Sequence, residues 1–212
     1  MKKIAVVGYK GKMGSPIFLA LKEKYKVFGV GRGDRLDDLP KLDLVVDVAS
    51  HESSVISAEY CLRNKIPIVI GSTGQTQIEN DRLAEIADSV TMIRKANFSQ
   101  AVETTKHLID EVLKLKPTRI LIKEKHHAHK KDSPSGTALM IKEHIEALFD
   151  GPVEIQSIRE GEEMGEHLIK FCFSTEELEI KHNVLSRMAF VNGLLKDVDN
   201  LFEKIDKFSK NL

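Results

Sequence analysis

The sequence predicts an α/β protein, a doubly wound parallel sheet followed by a smaller α+β region with a mixed sheet. Three observations predict it. Short β-branched runs alternate with helical segments at βαβ spacing through about residue 95, which builds a parallel sheet covered by helices on both faces. The first run, Ile4–Val7, is continuously apolar and ends in Gly8, the pattern of a strand buried on both sides. Past residue 97 the rhythm changes to consecutive, turn-separated runs, which suggests a partly antiparallel sheet.

Each element has a local reason. A helix is expected from about Ser15 to Lys24, with Ile17, Phe18 and Leu21 on one face. Pro16 falls in its first turn, where a missing N–H costs little. Val27–Val30 and Leu42–Val48 read as strands, joined by a polar loop from Gly31 to Pro40. A helix over Ser53–Asn64 leads to a strand at Ile66–Ile70 that ends in Gly71. Thr76–Ala87 reads as a helix and Val90–Lys95 as the fifth strand. Val102–Leu115 is an amphipathic helix, Arg119–Lys125 a strand, His126–Ser135 a polar loop and Gly136–Phe149 a helix. Strand-like runs follow at Val153–Arg159, Glu166–Phe173 and Leu178–His182. The tail, Ser186–Phe208, is helical, with Met188, Val191, Leu194, Leu195, Val198 and Phe202 near one face. The natural cut falls at residue 97, and the last helix, about 186–212, is expected to return to the first region.

Composition narrows the function. The chain has 212 residues, 42% hydrophobic and 30% charged, which excludes a disordered chain. Lys plus Arg is 32 and Asp plus Glu is 32, so no global positive field exists to hold a nucleic acid. Cys61 and Cys172 form no CxxC pair and suit a reducing compartment. The apolar run after Met1-Lys2-Lys3 is too short for a signal peptide. No stretch approaches the roughly 20 apolar residues of a membrane span. A cytoplasmic protein is expected, with neither a nucleic-acid nor a membrane partner.

Four motifs carry chemistry. Gly8-Tyr9-Lys10-Gly11-Lys12-Met13-Gly14 follows the first strand and opens a helix. Glycines there let the backbone approach a pyrophosphate, which a helix N-terminus attracts. The same glycines also suit a plain tight turn. A P-loop is excluded, because Lys12 precedes Met13 rather than Ser or Thr. This turn makes the parallel sheet Rossmann-type. At the end of the second strand stand Gly31-Arg32-Gly33-Asp34-Arg35. Arg32 and Arg35 can pair with a 2′-phosphate, which favours NADPH over NADH, whereas an acid there, such as Asp34, would serve NADH. Gly71-Ser72-Thr73-Gly74 and Ala96-Asn97-Phe98-Ser99 end the fourth and fifth strands, the edge where such sheets bind ligands.

The densest motif runs Glu124-Lys125-His126-His127-Ala128-His129-Lys130-Lys131-Asp132-Ser133-Pro134-Ser135-Gly136-Thr137-Ala138. A metal site from His126, His127 and His129 needs a geometry that adjacent residues rarely reach, so no metal is expected. A hydrolase using Ser135, His127 and Asp132 lacks a nucleophile elbow. A solvated loop without chemistry is a third reading. The preferred reading is a pocket for a dianion. Lys130, His127, Ser135 and the N–H groups of Gly136 and Thr137 would hold carboxylates. His126 or Lys130 would then deliver a proton. His51, His107, His144 and His182 have no clustered partners in the sequence and read as structural or surface residues.

These residues resemble the dihydrodipicolinate (4-hydroxy-tetrahydrodipicolinate) reductase family over most of the chain. The glycine turn is similar to the family's, which usually has Arg at the position of Lys12. Gly71-Ser72-Thr73-Gly74 resembles its G-T-T-G and Ala96-Asn97-Phe98-Ser99 its A-N-F-S. His126-His127-x-x-Lys130-x-Asp132-Ser133-Pro134-Ser135-Gly136-Thr137-Ala138 resembles its long H-H-x-x-K-x-D-A-P-S-G-T-A signature. Ser157–Gly161, Gly165-x-His167, Ile180-x-His182 and Ser186-Arg187 fit as well. Ser72 and Ser133 replace Thr and Ala, and Ala101 and Glu162 stand where the family usually has Gly.

The resemblance implies NADPH- or NADH-dependent reduction of a small, dicarboxylated cyclic imine in diaminopimelate and lysine biosynthesis. Hydride adds to ring carbon 4 and the enamine is protonated at the neighbouring carbon. It implies His126 as proton donor, Lys130 as a second donor or carboxylate partner, and His127, Ser135, Gly136 and Thr137 as substrate-binding residues. Gly8, Tyr9, Lys10, Gly11, Lys12, Met13, Arg32, Gly71, Ser72, Thr73, Ala96, Asn97, Phe98 and Ser99 would bind the cofactor. Residues 1–97 would be the dinucleotide-binding domain and 98–185 a substrate-binding and oligomerisation domain, whose open sheet builds a homotetramer. Another two-domain NAD(P)-dependent dehydrogenase and a non-catalytic NAD(P)H-sensing protein are the alternatives.

Overall fold

The computed structural model describes residues 1–210; positions 211 and 212 of the expected last helix lie outside them. The chain forms two compact units, residues 1–98 with the chain from Val191 onward, and Ser99–Phe190.

The first unit runs β1 (Lys3–Val7), α1 (Gly14–Lys22), β2 (Lys26–Val30), β3 (Leu44–Asp47), α2 (His51–Asn64), β4 (Ile68–Ile70), α3 (Gln77–Ala87) and β5 (Met92–Arg94). All five strands are parallel, in the order β2-β1-β3-β4-β5. Chain direction across the sheet reverses between β1 and β3, which opens a ligand crevice at their carboxyl ends. Alternate residues feed two cores. Ala5, Val45, Ile68 and Ile70 pack with Tyr60, Cys61, Leu83 and Ile86 on one face. Ile4, Val6, Leu44, Val46 and Val69 meet Ile17, Leu21 and the last helix on the other.

Three strands are shorter than the apolar runs that predict them. Leu42, Ile66 and Val90 are buried yet precede their ladders. Burial sets the length of the run, and hydrogen bonding sets the length of the strand. Pro67 has no N–H to donate, so β4 begins after it. Helix α2 starts two residues before its expected start, because the Ser50 side chain caps it by accepting from the Ser53 N–H. Thr76 and Glu79 close a capping box on α3.

The second unit contains α4 (Gln100–Leu113), β6 (Arg119–His126), α5 (Gly136–Glu146), β7 (Val153–Arg159), β8 (Glu166–Cys172) and β9 (Glu177–Asn183). Its sheet has the order β7-β6-β8-β9. β6 and β7 are parallel, and β8 runs antiparallel to β6 and β9. Ile120, Ile122, Ile169 and Phe171 meet Ile109 of α4 and Ala138, Ile141 and Ile145 of α5 in one core. Each isoleucine and the phenylalanine contribute about 1.5–3 kcal/mol on burial. The last helix, α6 (Met188–Lys210), gives Val191, Leu194, Val198, Leu201 and Phe202 to the first unit's core. Among the described residues no helix is long and apolar enough to cross a membrane.

Candidate active site

Strand β6 buries every second residue, so Ile120, Ile122, Glu124 and His126 share the covered face. The alternation that seats two isoleucines in the core carries a carboxylate and an imidazole in behind them. His126 Nδ1 lies 2.5 Å from Glu124 Oε2. Arg159 ends β7 directly opposite His126. Its Nη2 donates to Glu124 Oε1 at 2.6 Å and to the Asp132 carbonyl at 2.6 Å. The Ser135 N–H reaches Glu124 Oε1 at 3.3 Å.

Glu124 is fully buried. Burial pushes its carboxyl up, but Arg159, Ser157 and His126 together outweigh burial and hold it below the usual carboxylate range. Burial pushes His126 down; the pull of Glu124 offsets this only in part, and the charges of Lys130 and Arg159 add to the depression. An ionised carboxylate can only accept, so Nδ1 of His126 donates to Glu124. Nε2 is therefore the ring nitrogen left uncommitted by the carboxylate.

Gly165 lies beside that nitrogen. A Cβ at Gly165 would stand 2.8 Å from His126 Nε2. The Gly165 carbonyl accepts from the Val184 N–H at 2.8 Å, so the backbone is tied in place. Gly165→Ala is expected to keep the fold and lower kcat at least tenfold, a loss of about 1.4 kcal/mol in transition-state stabilisation. Steady-state kinetics with a thermal melt checks it, and wild-type kcat in a folded variant would remove Gly165 from the site.

Across the sheet, Glu124 pairs in register with His167 on β8, and His167 pairs with His182 on β9. The rings of His126 and His167 meet edge-on at 5.4 Å, and those of His167 and His182 stack at 5.8 Å. His182 is thus part of a cluster, contrary to its reading as an isolated histidine. His51 instead pairs with Glu79, and His144 with Asp110.

Burial, helped by His126 and His182, pushes His167 down to about 3. An unfolded histidine titrates near 6.5. Below pH 6.5 the unfolded chain therefore binds the extra proton. The contribution of the neutral ring is complete above pH 6.5 and lost progressively towards pH 3. Wild-type stability is expected to decline on acidification through this window. His167→Gln should flatten the decline by up to about 1.4 kcal/mol per pH unit. Urea unfolding at several pH values checks this, and parallel slopes would refute it.

The other expected site residues of this unit fall around the pair. Lys130 Nζ donates to Asp132 Oδ1 at 2.8 Å, and its charge acts on His126. The His127 N–H donates to the Glu163 carbonyl at 2.8 Å. Ser135 caps α5 by accepting from the Ala138 N–H at 3.2 Å, and its Oγ lies 3.4 Å from His167 Nε2. The Ser135–His127–Asp132 hydrolase arrangement is therefore not assembled, since Ser135 faces a different histidine and Asp132 faces Lys130. Gly136 and Thr137 form the first turn of α5. The compact trio here is Glu124, His126 and His167, with one donor atom from each within 4.8 Å of the others, rather than His126, His127 and His129. The guanidinium already on Glu124 opposes a dication at that trio.

In the first unit the glycine turn leaves β1 at the crevice. Gly8 has φ +82, and a Cβ on it would press on Ala49. A Cβ on Gly14 would collide with the Gly8 carbonyl. Asp47, buried at the end of β3, holds the facing turn by accepting from Ser53 Oγ at 2.7 Å, Ser57 Oγ at 2.5 Å and the Ala49 N–H at 3.1 Å. Among the described residues no side chain caps α1, so the positive end of its dipole carries no side-chain acceptor. Gly71, Ser72 and Thr73 follow β4; Ala96, Asn97 and Phe98 follow β5, and Ser99 opens the second unit. A cavity of about 550 Å³ at the end of β2 is lined by Gly31, Asp34, Arg35, Ser53 and Arg63 among others. Arg32 is exposed outside it.

A parallel sheet with a glycine turn at its switch point is the frame of a dinucleotide-binding protein, and the second unit of this chain adds a buried carboxylate–imidazole pair. Two family models match: "Dihydrodipicolinate reductase, C-terminus" over residues 98–210 and "Dihydrodipicolinate reductase, N-terminus" over residues 32–98. The chain belongs to the dihydrodipicolinate reductase family. It is 31% identical to the 4-hydroxy-tetrahydrodipicolinate reductase of Archaeoglobus fulgidus, over 97% of this chain and 95% of that one. It is 30% identical to the enzyme of that name from Thermosipho africanus, over 97% and 94%. Among solved structures, the dipicolinate-bound dihydrodipicolinate reductase of Paenisporosarcina sp. TG-14 shares the fold, with a TM-score of 0.76 at 20% identity over 96% of this chain and 95% of that one.

Proposed function

We propose that this protein reduces 4-hydroxy-tetrahydrodipicolinate to tetrahydrodipicolinate with NAD(P)H, in diaminopimelate and lysine biosynthesis in the cytoplasm. One observation carries the reading beyond family membership: Glu124, ionised and held by Arg159 and by the N–H of Ser135 at the start of α5, fixes His126 so that Nε2 remains the working nitrogen.

Each unit has its task. The turn closes tightly only because Gly8 and Gly14 carry no side chain, and the uncapped α1 that it leads into fits a pyrophosphate. Gly71 to Thr73 and Ala96 to Ser99 would line the nicotinamide half. Asp34 Oδ2 accepts from the Gly31 N–H at 2.8 Å, so this acid is engaged by its own turn. That engagement, with Arg32 and Arg35 nearby, supports NADPH over NADH. When bound, the cofactor supplies a hydride.

In the second unit, Lys130, His127, Ser135 and the N–H groups of Gly136 and Thr137 bind the two carboxylates and orient the ring. Hydride addition at ring carbon 4 leaves an enamine. His126 Nε2–H protonates the adjacent carbon, and Glu124 keeps the imidazole oriented and compensates the cation that precedes transfer. The open sheet of this unit is assigned to a homotetramer interface.

The test is a coupled assay. The preceding synthase, with pyruvate and aspartate semialdehyde, generates the unstable substrate in place, and NADPH and NADH oxidation are followed separately by nicotinamide absorbance. Oxidation that depends on this protein supports the reading, and faster NADPH turnover supports the cofactor preference. Tight cofactor binding without oxidation would replace the reading with a sensor or another dehydrogenase.

A further inference from the structure

We propose that the buried row of imidazoles from His182 through His167 to His126 is the path by which protons reach the Glu124–His126 pair. The inference rests on the reductase reading above and adds two residues to it. Strand register sets the row, with Glu124, His167 and His182 lying opposite one another on β6, β8 and β9. Ring centres are 5.4 Å and 5.8 Å apart, so each ring is the direct neighbour of the next. The Ser135 hydroxyl, 3.4 Å from His167 Nε2, offers that nitrogen a group that can both accept and donate a proton. The row ends on β9, the edge strand, where His182 lies between exposed Lys181 and Asn183.

The chemistry of the row argues against mere packing. Nδ1 of His167 and Nδ1 of His182 are buried with no hydrogen-bond partner among the described residues. Leaving a buried polar atom unpartnered costs about 1–3 kcal/mol, and an apolar side chain would fill the same place without that cost. A relay group needs both ring nitrogens, one to receive and one to release. The groups acting on His167 are His126, His182, Glu124 and Lys130, whereas His182 feels burial alone. The outer ring therefore exchanges with solvent without an ion pair to trap the proton.

Each turnover consumes one proton. The N–H bond of His126 breaks as the new C–H bond forms on the ring. As His167 passes a proton to the pair from one nitrogen it takes one from His182 at the other, so its ring stays neutral, and solvent reprotonates His182. The electrons come as the hydride of the proposed reaction, so no other reagent is needed.

The experiment compares the full-length wild type with His182→Gln and His167→Gln. Steady-state turnover is measured in light and heavy water, hydride transfer in a single turnover, and turnover again with added imidazole. Both variants should lose roughly tenfold in kcat, less than the 10²–10⁴ of a direct acid–base group. The solvent isotope effect on kcat should rise, single-turnover hydride transfer should stay within about twofold, and free imidazole should restore turnover. Rescue by imidazole is a response that a structural role would not give. Unchanged kcat and isotope effect, or a slowed hydride step without rescue, would overturn the relay. His182→Gln lies on the edge strand and tests the path even where His167→Gln fails to fold. Wild type without NAD(P)H oxidation would defeat the reductase reading itself, whereas an active wild type with indifferent variants defeats only the relay.

Discussion

His126→Ala is expected to lower kcat by roughly 10²–10⁴-fold, the range of a direct acid–base group, with KM changed far less. Nε2 is the one ring nitrogen not committed to Glu124, and Gly165 beside it covers it with no side chain. The pH profile sharpens the test. In the proposed reaction the acid form delivers the proton, so kcat/KM should fall as pH rises through the pKa of His126. Burial depresses that pKa below 6.5, so the fall begins on the acid side of neutrality. A bound dicarboxylate favours the imidazolium and moves the corresponding limb of kcat to higher pH. In His126→Ala both limbs should disappear. A variant within about threefold of wild type, well short of the acid–base range, would remove His126 from the chemistry.

Glu124→Ala should unfold far more easily than wild type, by about 3–5 kcal/mol, because it removes one partner of a buried ion pair and strands the other. Glu124 is fully buried, and Arg159 Nη2 and His126 Nδ1 both bond to it. Without the carboxylate the guanidinium loses its counter-charge, and the imidazole loses the acceptor that fixes its tautomer. Activity should fall with stability. Glu124→Gln keeps an acceptor oxygen and the volume, so it should recover part of the stability while the imidazolium still lacks its counter-charge. Urea unfolding of the three proteins, read beside their kcat values, checks both statements. A loss under about 1 kcal/mol for Glu124→Ala, typical of an exposed pair, would show that the carboxylate is dispensable to the fold.

The parallel sheet was legible in the sequence because its information is local. Ile4–Val7 closed by Gly8, and the runs ending at Val48 and Gly71, each report a buried strand and its carboxyl-end turn. The glycine turn and the His126–Ala138 motif are likewise contiguous. Glu124, Arg159, His167 and His182 were harder to read as one constellation, since they come together only through register across β7, β6, β8 and β9. One signal was present. Ile120, Ile122, Glu124 and His126 keep a single period of two, so a charged pair continues an apolar face and must find partners there. Which partners depends on strand order, and no spacing within one segment encodes that.

The last helix has a consequence for how the chain is made. One face of the first sheet, Ile4, Val6, Leu44, Val46 and Val69, is covered in part by Val191, Leu194, Val198, Leu201 and Phe202. At about 5–20 residues per second, the ribosome needs roughly 5–20 s to travel from Phe98 to Phe202. Throughout that interval the nascent chain holds all five strands of the sheet but not the wall that closes it. The strands of the second unit are synthesised before the last helix, so the earliest segment to emerge is among the last to be sealed. A chain arrested near Phe190 would expose that face to chaperones or to another nascent copy.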